Sequence, residues 1–329
     1  MFRPTRMPIG TLLLALVLTT AACRNSAPSE TDQTPSTASF ATPLSNQAER
    51  HREDADHAHA HLDEAGLTDE VKAVLVPSEL VLGPNRFAVG LFDVDGGLVH
   101  EADVHFHYYD LSDPQKAVLE SEVDAQRLQT PDGSTTIFTH ERDFGRAGEW
   151  GAEIQVRWPG GRAARQRISF EVLADSPSLS PGEEAPLLQT PTLFDVDQNL
   201  SHLTSASEPN PALHRLSLAA ALSSDKPTLL LIATPSFCQT RFCGPAYEIV
   251  SELQKRYEDR LNYVYVEAYT GLPNPAASGW KMAPIVTVFG LQSEPWLYLI
   301  DAQGTIVYRV EGMFTVEEVD RHLQTDVGL

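Results

Sequence analysis

Basic residues are scarce in this 329-residue chain: 24 Lys and Arg stand against 45 Asp and Glu, for a formal net charge of −21. Nucleic-acid binding needs clustered Lys and Arg to neutralise phosphates, so the balance argues against that class of partner. An acidic surface favours solubility and some attraction for metal cations. Long apolar runs are also lacking. The one present, residues 9–22, is too short and wrongly flanked for a comfortable membrane span. Cysteine is limited to three positions, Cys23, Cys238 and Cys243, so each can be accounted for separately. Apolar side chains are present in ordinary amount, 42% of residues, and the length accommodates two domains plus a tail.

The N-terminus carries Arg3 and Arg6, then the apolar run, then Thr20-Ala21-Ala22-Cys23. This arrangement resembles a bacterial lipobox, although Thr20 stands where that pattern usually has Leu. The resemblance implies that residues 1–23 are a lipoprotein signal peptide with lipidated Cys23. The mature protein would then lie outside the cytoplasm, anchored to the bacterial membrane through its lipid. An ordinary secretory peptide cut nearby is the alternative. Residues 24–67 are rich in Ser, Thr, Pro, Ala, Asp and Glu and hold almost no large apolar side chains. Such a segment cannot offset its ordering entropy, so it reads as a disordered tether with a reach of roughly 35 Å. With Cys23 used by the anchor, Cys238 and Cys243 are the remaining thiols. Outside the cytoplasm such a pair tends to form a disulfide or to cycle through one.

Residues 68–174 show short alternating runs at 74–76, 87–92, 104–109, 136–138, 151–158 and 168–172. Turn signals such as Asp95-Gly96-Gly97 and Pro159-Gly160-Gly161 separate them, with no convincing long helix. The pattern predicts a small antiparallel β-sandwich, similar to the immunoglobulin-like modules of exported bacterial proteins. A fold-level likeness of that kind says little about function, and a spacer or partner-docking role fits it. Residues 175–191 are Ser-, Pro- and Glu-rich and read as an interdomain linker.

Residues 192–329 read as an α/β domain. The continuous apolar run 227–233 suits a buried parallel strand. A loop with both cysteines follows, and then Ala246, Val250, Leu253, Tyr257 and Leu261 recur at helical spacing. Strands at 262–267, 295–300 and 305–310 and a closing helix from 315 to about 323 complete the order.

Three local features in this part carry a resemblance that covers residues 182–329. They are PSFCQTRFCGP at 235–245, Glu294-Pro295 directly before a strand, and the terminal EPWLYLIDAQGTIVYRVEG. Together they resemble the thioredoxin-like redoxins of the TlpA and Sco-like superfamily. The resemblance implies a thioredoxin-like fold and thiol–disulfide oxidoreductase chemistry on protein thiols or disulfides, with no required cofactor. It also implies a cis-proline, Pro295, beside the active cysteines Cys238 and Cys243.

A cysteine at a helix N-terminus has its thiolate stabilised by the macrodipole and unpaired N–H groups. The thiolate is the attacking form in disulfide exchange, and a second thiol resolves the mixed disulfide. The spacing departs from the thioredoxin pattern, with four residues between the cysteines rather than two. On a regular helix i,i+5 side chains point about 140° apart, so Cys238 must precede the helix and Cys243 must lie near its first turn. Phe242-Cys243-Gly244-Pro245 offers a second register, similar to the thioredoxin Trp-Cys-Gly-Pro, with Cys243 as the nucleophile. Both registers are open at this point, as is a purely structural disulfide in a non-catalytic interaction protein. Arg241 could lower a neighbouring thiol by its charge or be a solvated loop residue.

Histidines form the second constellation. His57, His59 and His61 alternate in the tether, with His51 upstream and Asp54, Asp56, Asp63 and Glu64 close by. Neutral imidazoles suit copper, zinc and nickel, so a copper-handling or assembly role is the rival to the redox reading, and a solvated polar linker is the plain one. His105 and His107, at spacing two on a strand, share a face, with His100 nearby; a metal site or an exposed polar face would follow. A Sco-like copper site would need a histidine from a later loop. After Cys243 the sequence offers only His322, in the final helix, which disfavours copper chaperoning through this part of the chain.

Overall fold

A computed structural model describes residues 70–113, 115–238 and 240–329. Cys23, the tether and its His57, His59 and His61 lie outside the described residues. The first described region is all-β. Its strands are β1 (Val71–Leu75), β2 (Gly83–Asp93), β3 (Asp103–Asp113), β4 (Lys116–Asp124), β5 (Gln126–Gln129), β6 (Thr136–Phe144), β7 (Gly148–Arg157) and β8 (Ala163–Val172). They form two four-stranded sheets, β1-β2-β6-β5 and β4-β3-β7-β8, with every pairing antiparallel. Side chains alternate across each strand, so Val104, Phe106 and Tyr108 of β3 point inward while His105 and His107 take the other face. The two sheets share one aromatic core, in which the Phe87 ring meets those of Phe106 and Tyr108 edge to face at 5.2 Å.

Two strands in this region had no apolar run to announce them. β4 (KAVLESEVD) and β5 (QRLQ) are sheet edges whose residues are largely exposed. Charged residues on an edge discourage pairing with a foreign strand, and they also erase the alternating signal.

The second region is α/β. Strands β9 (Thr228–Ala233), β10 (Asn262–Glu267), β11 (Trp296–Ile300) and β12 (Ile306–Glu311) make a sheet in the order β10-β9-β11-β12. β9 and β10 run parallel, and β11 is antiparallel to both of its neighbours. Four helices accompany the sheet: α1 (Leu218–Leu222), α2 (Cys243–Tyr257), α3 (Pro284–Val288) and α4 (Val316–Asp326). Every residue of β9 is buried because both sheet faces are covered. Leu229, Leu231 and Ala233 join the core of α2 and α4, while Leu230 and Ile232 join that of α1 and α3. Thr315 starts α4 by accepting from the Glu318 N–H at 3.2 Å.

Residues 175–191, read from composition as a linker, lie along β12. Gly182 N–H donates to the Ile306 carbonyl at 2.8 Å, Ile306 N–H to Glu183 at 2.9 Å, and Ala185 N–H to Gly304 at 2.8 Å. The approach is close enough to require glycine at 290: a Cβ there, at φ +71°, would sit 1.9 Å from the Pro177 carbonyl oxygen.

The all-β region packs against the α/β sheet near the cysteine loop. Arg309 of β12 pairs with Glu79 at 2.8 Å. Arg86 of β2 reaches Glu318 of α4 at 3.4 Å and donates to the Met313 carbonyl at 2.6 Å. Phe242, the residue before Cys243, is buried with Met313 against Ala88 and Ile137 of the all-β sheet.

Candidate functional site

The cysteine loop leaves β9 at Thr234 and enters α2 at Cys243. Phe242 occupies the N-cap without a capping side chain, so the first backbone N–H groups of α2 face the loop. Arg241 has φ +64° and is exposed. Cys238 is half-buried in the loop and Cys243 is fully buried in the first turn; both are free thiols. The loop-and-helix placement expected from the i,i+5 spacing is the one observed.

The Glu294–Pro295 peptide bond is cis, and the Pro295 carbonyl accepts from Gly312 N–H at 2.9 Å. Thr240 connects this loop to the cysteines: its Oγ1 lies 3.2 Å from Cys238 Sγ and 3.3 Å from the Glu294 carbonyl oxygen. A hydroxyl has one proton, so with Cys238 ionised the closer thiolate takes it. The Glu294 carboxylate and the two sulfurs all lie within 4.8 Å of one another.

The two thiols are displaced in opposite directions. Hydrogen bonding from the Cys243 thiol, aided by Thr240 and by backbone groups of residues 243 and 240, outweighs burial and holds Cys238 down at about 5. Burial pushes Cys243 up, and its proton is further retained by the hydrogen bond to Cys238 and by the Cys238 charge. Arg241 is not among the groups that lower Cys238, which fits the solvated reading of that side chain.

Two carboxyls near the pair were not singled out from sequence. Burial, and then the Cys238 charge, push Glu294 up. Glu267 closes β10, a strand whose six residues are all buried. It accepts from the Ser205 N–H at 2.9 Å, Ser205 Oγ at 2.8 Å, Tyr265 Oη at 2.6 Å and Thr234 Oγ1, yet burial still raises it. An acidic residue ending an otherwise apolar strand was the available signal. Aromatic side chains flank the loop. Trp280, 48% exposed, meets Phe237 at 5.4 Å and Tyr269 at 5.5 Å between ring centroids.

The histidines go to other places. His105 and His107 lie together on the outer face of β3. His100 is instead engaged with Thr136 Oγ1 at 3.0 Å. His322 stacks on Tyr308 at 3.6 Å and bonds Asp326 at 2.8 Å on α4.

No protein-family model matches the chain, and no curated protein matches it. Two solved structures are similar in part. One is a putative thiol:disulfide interchange protein DsbE from Chlorobium tepidum, at 15% identity over 45% of this chain and 96% of that one, with a TM-score of 0.32. The other is CopC from Methylosinus trichosporium OB3b, at 11% identity over 32% of this chain and 97% of that one, with a TM-score of 0.23. Both likenesses are weak.

Proposed function

We propose that this chain is a thioredoxin-like thiol–disulfide oxidoreductase, held outside the cytoplasm by lipidated Cys23, in which Cys238 attacks and Cys243 resolves. In this reading residues 68–174 form a sandwich domain and residues 192–329 a thioredoxin-like domain. The observation that carries the proposal is the opposite displacement of the two thiols: a half-buried thiolate outside the helix and a buried, protonated thiol inside its first turn.

The Cys238 thiolate attacks one sulfur of a partner disulfide, forming a mixed disulfide and expelling the partner's other sulfur as a thiolate. Cys243 then gives up its proton and attacks Cys238 Sγ. The Cys238–Cys243 disulfide forms, the partner leaves as a dithiol, and two electrons have passed to it. Glu294, close to both sulfurs and made more basic by burial, is the group that would take the Cys243 proton. The same steps in reverse oxidise a partner dithiol. Pro295 borders the contact surface, and Phe237, Tyr269 and Trp280 offer aromatic faces to apolar side chains of an extended peptide.

The test is reduction of a protein disulfide such as that of insulin under dithiothreitol recycling, with trapping in single-cysteine variants. Cys243→Ser should accumulate a mixed disulfide through Cys238, and Cys238→Ser should trap nothing and lose turnover. Trapping through Cys243, or undiminished turnover in Cys238→Ser, would overturn the assignment.

A second reading, metal handling, is favoured by one observation: Cys238, Cys243 and Glu294 present two sulfurs and a carboxylate within 4.8 Å. Thiolates suit Cu(I). Competition of the reduced protein with a Cu(I) chelator, comparing Cys238→Ser and a His57→Ala/His59→Ala/His61→Ala variant, tests it. Failure of both changes to alter binding would remove it.

A further inference from the structure

We infer that the outer face of β3 and β4 is a binding site for a borderline divalent transition-metal ion, held by His105, His107 and Glu122 with Asp124 beside them. The inference rests on strand register and stands apart from the cysteine chemistry. In the β3–β4 pairing His107 is opposite Glu122 and His105 is opposite Asp124. Two imidazoles on one strand thus face two carboxylates on the next, on the same side of the sheet.

The donors are already close. One ligand atom from each of His105, His107 and Glu122 falls within a 4.8 Å span. The two imidazole rings stand nearly perpendicular, at 81°, with centroids 5.1 Å apart. His105 Nδ1 lies 2.7 Å from Asp124 Oδ1, and His107 Nδ1 lies 3.9 Å from Glu122 Oε1. The Asp124 carboxylate held against Nδ1 of His105 fixes that ring's tautomer and turns the lone pair of Nε2 outward, the arrangement that metal-binding histidines use, while Glu122 lies near His107 as a further donor. The histidine side chains are only 26% and 12% exposed, whereas Asp124 is 72% exposed, so the cluster opens to solvent on the side from which an ion would arrive.

Local charge favours a cation. On the other side of β3, His107 is opposite Glu153 and His105 is opposite Gln155. Glu153 is buried and takes hydrogen bonds from Gln155 at 2.8 Å and Arg167 at 2.6 Å, with Arg165 at 4.0 Å. Those arginines pair with Glu153, and Glu122 and Asp124 bring negative charge to the histidines from the other neighbouring strand. An imidazole and carboxylate set selects Cu2+, Zn2+ or Ni2+ over Ca2+ or Mg2+, with Cu2+ the tightest of the series.

The test uses the full chain with Cys238→Ser, Cys243→Ser, His51→Ala, His57→Ala, His59→Ala and His61→Ala, which removes the cysteine pair and the tether histidines. Cu2+ and Zn2+ are titrated against a chromophoric chelator, with Ca2+ as the control, and Cu2+ samples are examined by electron paramagnetic resonance. One equivalent of Cu2+ should bind with coupling to two nitrogens. His105→Ala/His107→Ala should lose about 100-fold in affinity and Glu122→Gln about tenfold. Thermal melts without metal establish that each variant is folded, and the rise in melting temperature on adding Zn2+ should vanish in the double variant. Unchanged Cu2+ affinity in a folded His105→Ala/His107→Ala variant would overturn the inference. So would Ca2+ competing as well as Zn2+, since that describes acidic residues alone. Neither result bears on disulfide turnover, so failure here is distinguishable from failure of the redox assignment.

Discussion

Glu153 in the all-β region and Glu267 in the α/β region are the same residue type at nearly the same depth, 3% and 6% exposed, and they behave oppositely. Burial pushes Glu153 up, but hydrogen bonds from Gln155 and Arg167 and the Arg167 charge outweigh it, so the carboxyl stays below its ordinary range. Glu267 is met by hydroxyls and one backbone N–H, which offset only part of the burial, and it ends above that range. Depth alone therefore does not set the protonation of a buried acid; the charge of its partners does. The same division extends outward. Glu294 and Glu311 in the α/β region are also raised by burial, and Glu294 lies beside the cysteine pair.

The sharpest way to break this contrast is to remove the cation. Arg167→Ala should cost about 3 kcal/mol, because it strands a buried carboxylate. In the native protein the folded Glu153 value is depressed, so its stabilisation is present above pH about 4.5 and is lost as pH falls through that lower value. In Arg167→Ala the sign should reverse, with the deficit largest at neutral pH and shrinking toward pH 4. Urea unfolding at several pH values reads this directly. A uniform, pH-independent loss would mean that packing, not charge, explains Glu153.

Next in size is the buried histidine of the α/β region. His214 is 1% exposed and burial drives it down to about 4. A base whose folded value is depressed loses stability as pH falls through its unfolded value of about 6.5, down to the folded value. The full difference is about 3 kcal/mol. His214→Phe should flatten that part of the acid-unfolding profile, and an unchanged slope between pH 6.5 and 4 would show that His214 is not its source.

At the redox site, Glu294→Gln should leave formation of the mixed disulfide intact while slowing its resolution by about tenfold to a hundredfold. Stopped-flow measurement of the two phases separates these effects. Equal slowing of both would make Glu294 a structural residue. Thr240→Val should have the smaller effect, raising the Cys238 thiol by loss of one donor and slowing alkylation at pH 6 by about tenfold.

Much of the α/β region was legible in the sequence. The unbroken apolar run of β9, the helical stripe of α2 and the turn between β11 and β12 correspond to observed elements. The geometric argument on Cys238 and Cys243 also placed one in the loop and one in the first helical turn. What stayed hidden depends on distant pairing. β4 carries charge where an alternating pattern would be sought, yet its register is what sets Glu122 and Asp124 against the histidines. Residues 175–191 look like a linker because their hydrogen bonds are made by backbone to β12, which composition does not encode. Glu267 and Glu294 owe their raised state to burial and to groups remote in sequence, and spacing alone could not decide which cysteine is the thiolate.

The pH dependence of cysteine alkylation in the reduced protein tests most directly which cysteine is the thiolate. Cys238 should react with iodoacetamide at a rate that is half-maximal near pH 5 and level from about pH 6.5 to pH 9, while Cys243 stays unmodified. A midpoint near the ordinary thiol value of about 8.5, or modification of Cys243 first, would contradict the assignment of Cys238 as the attacking thiolate.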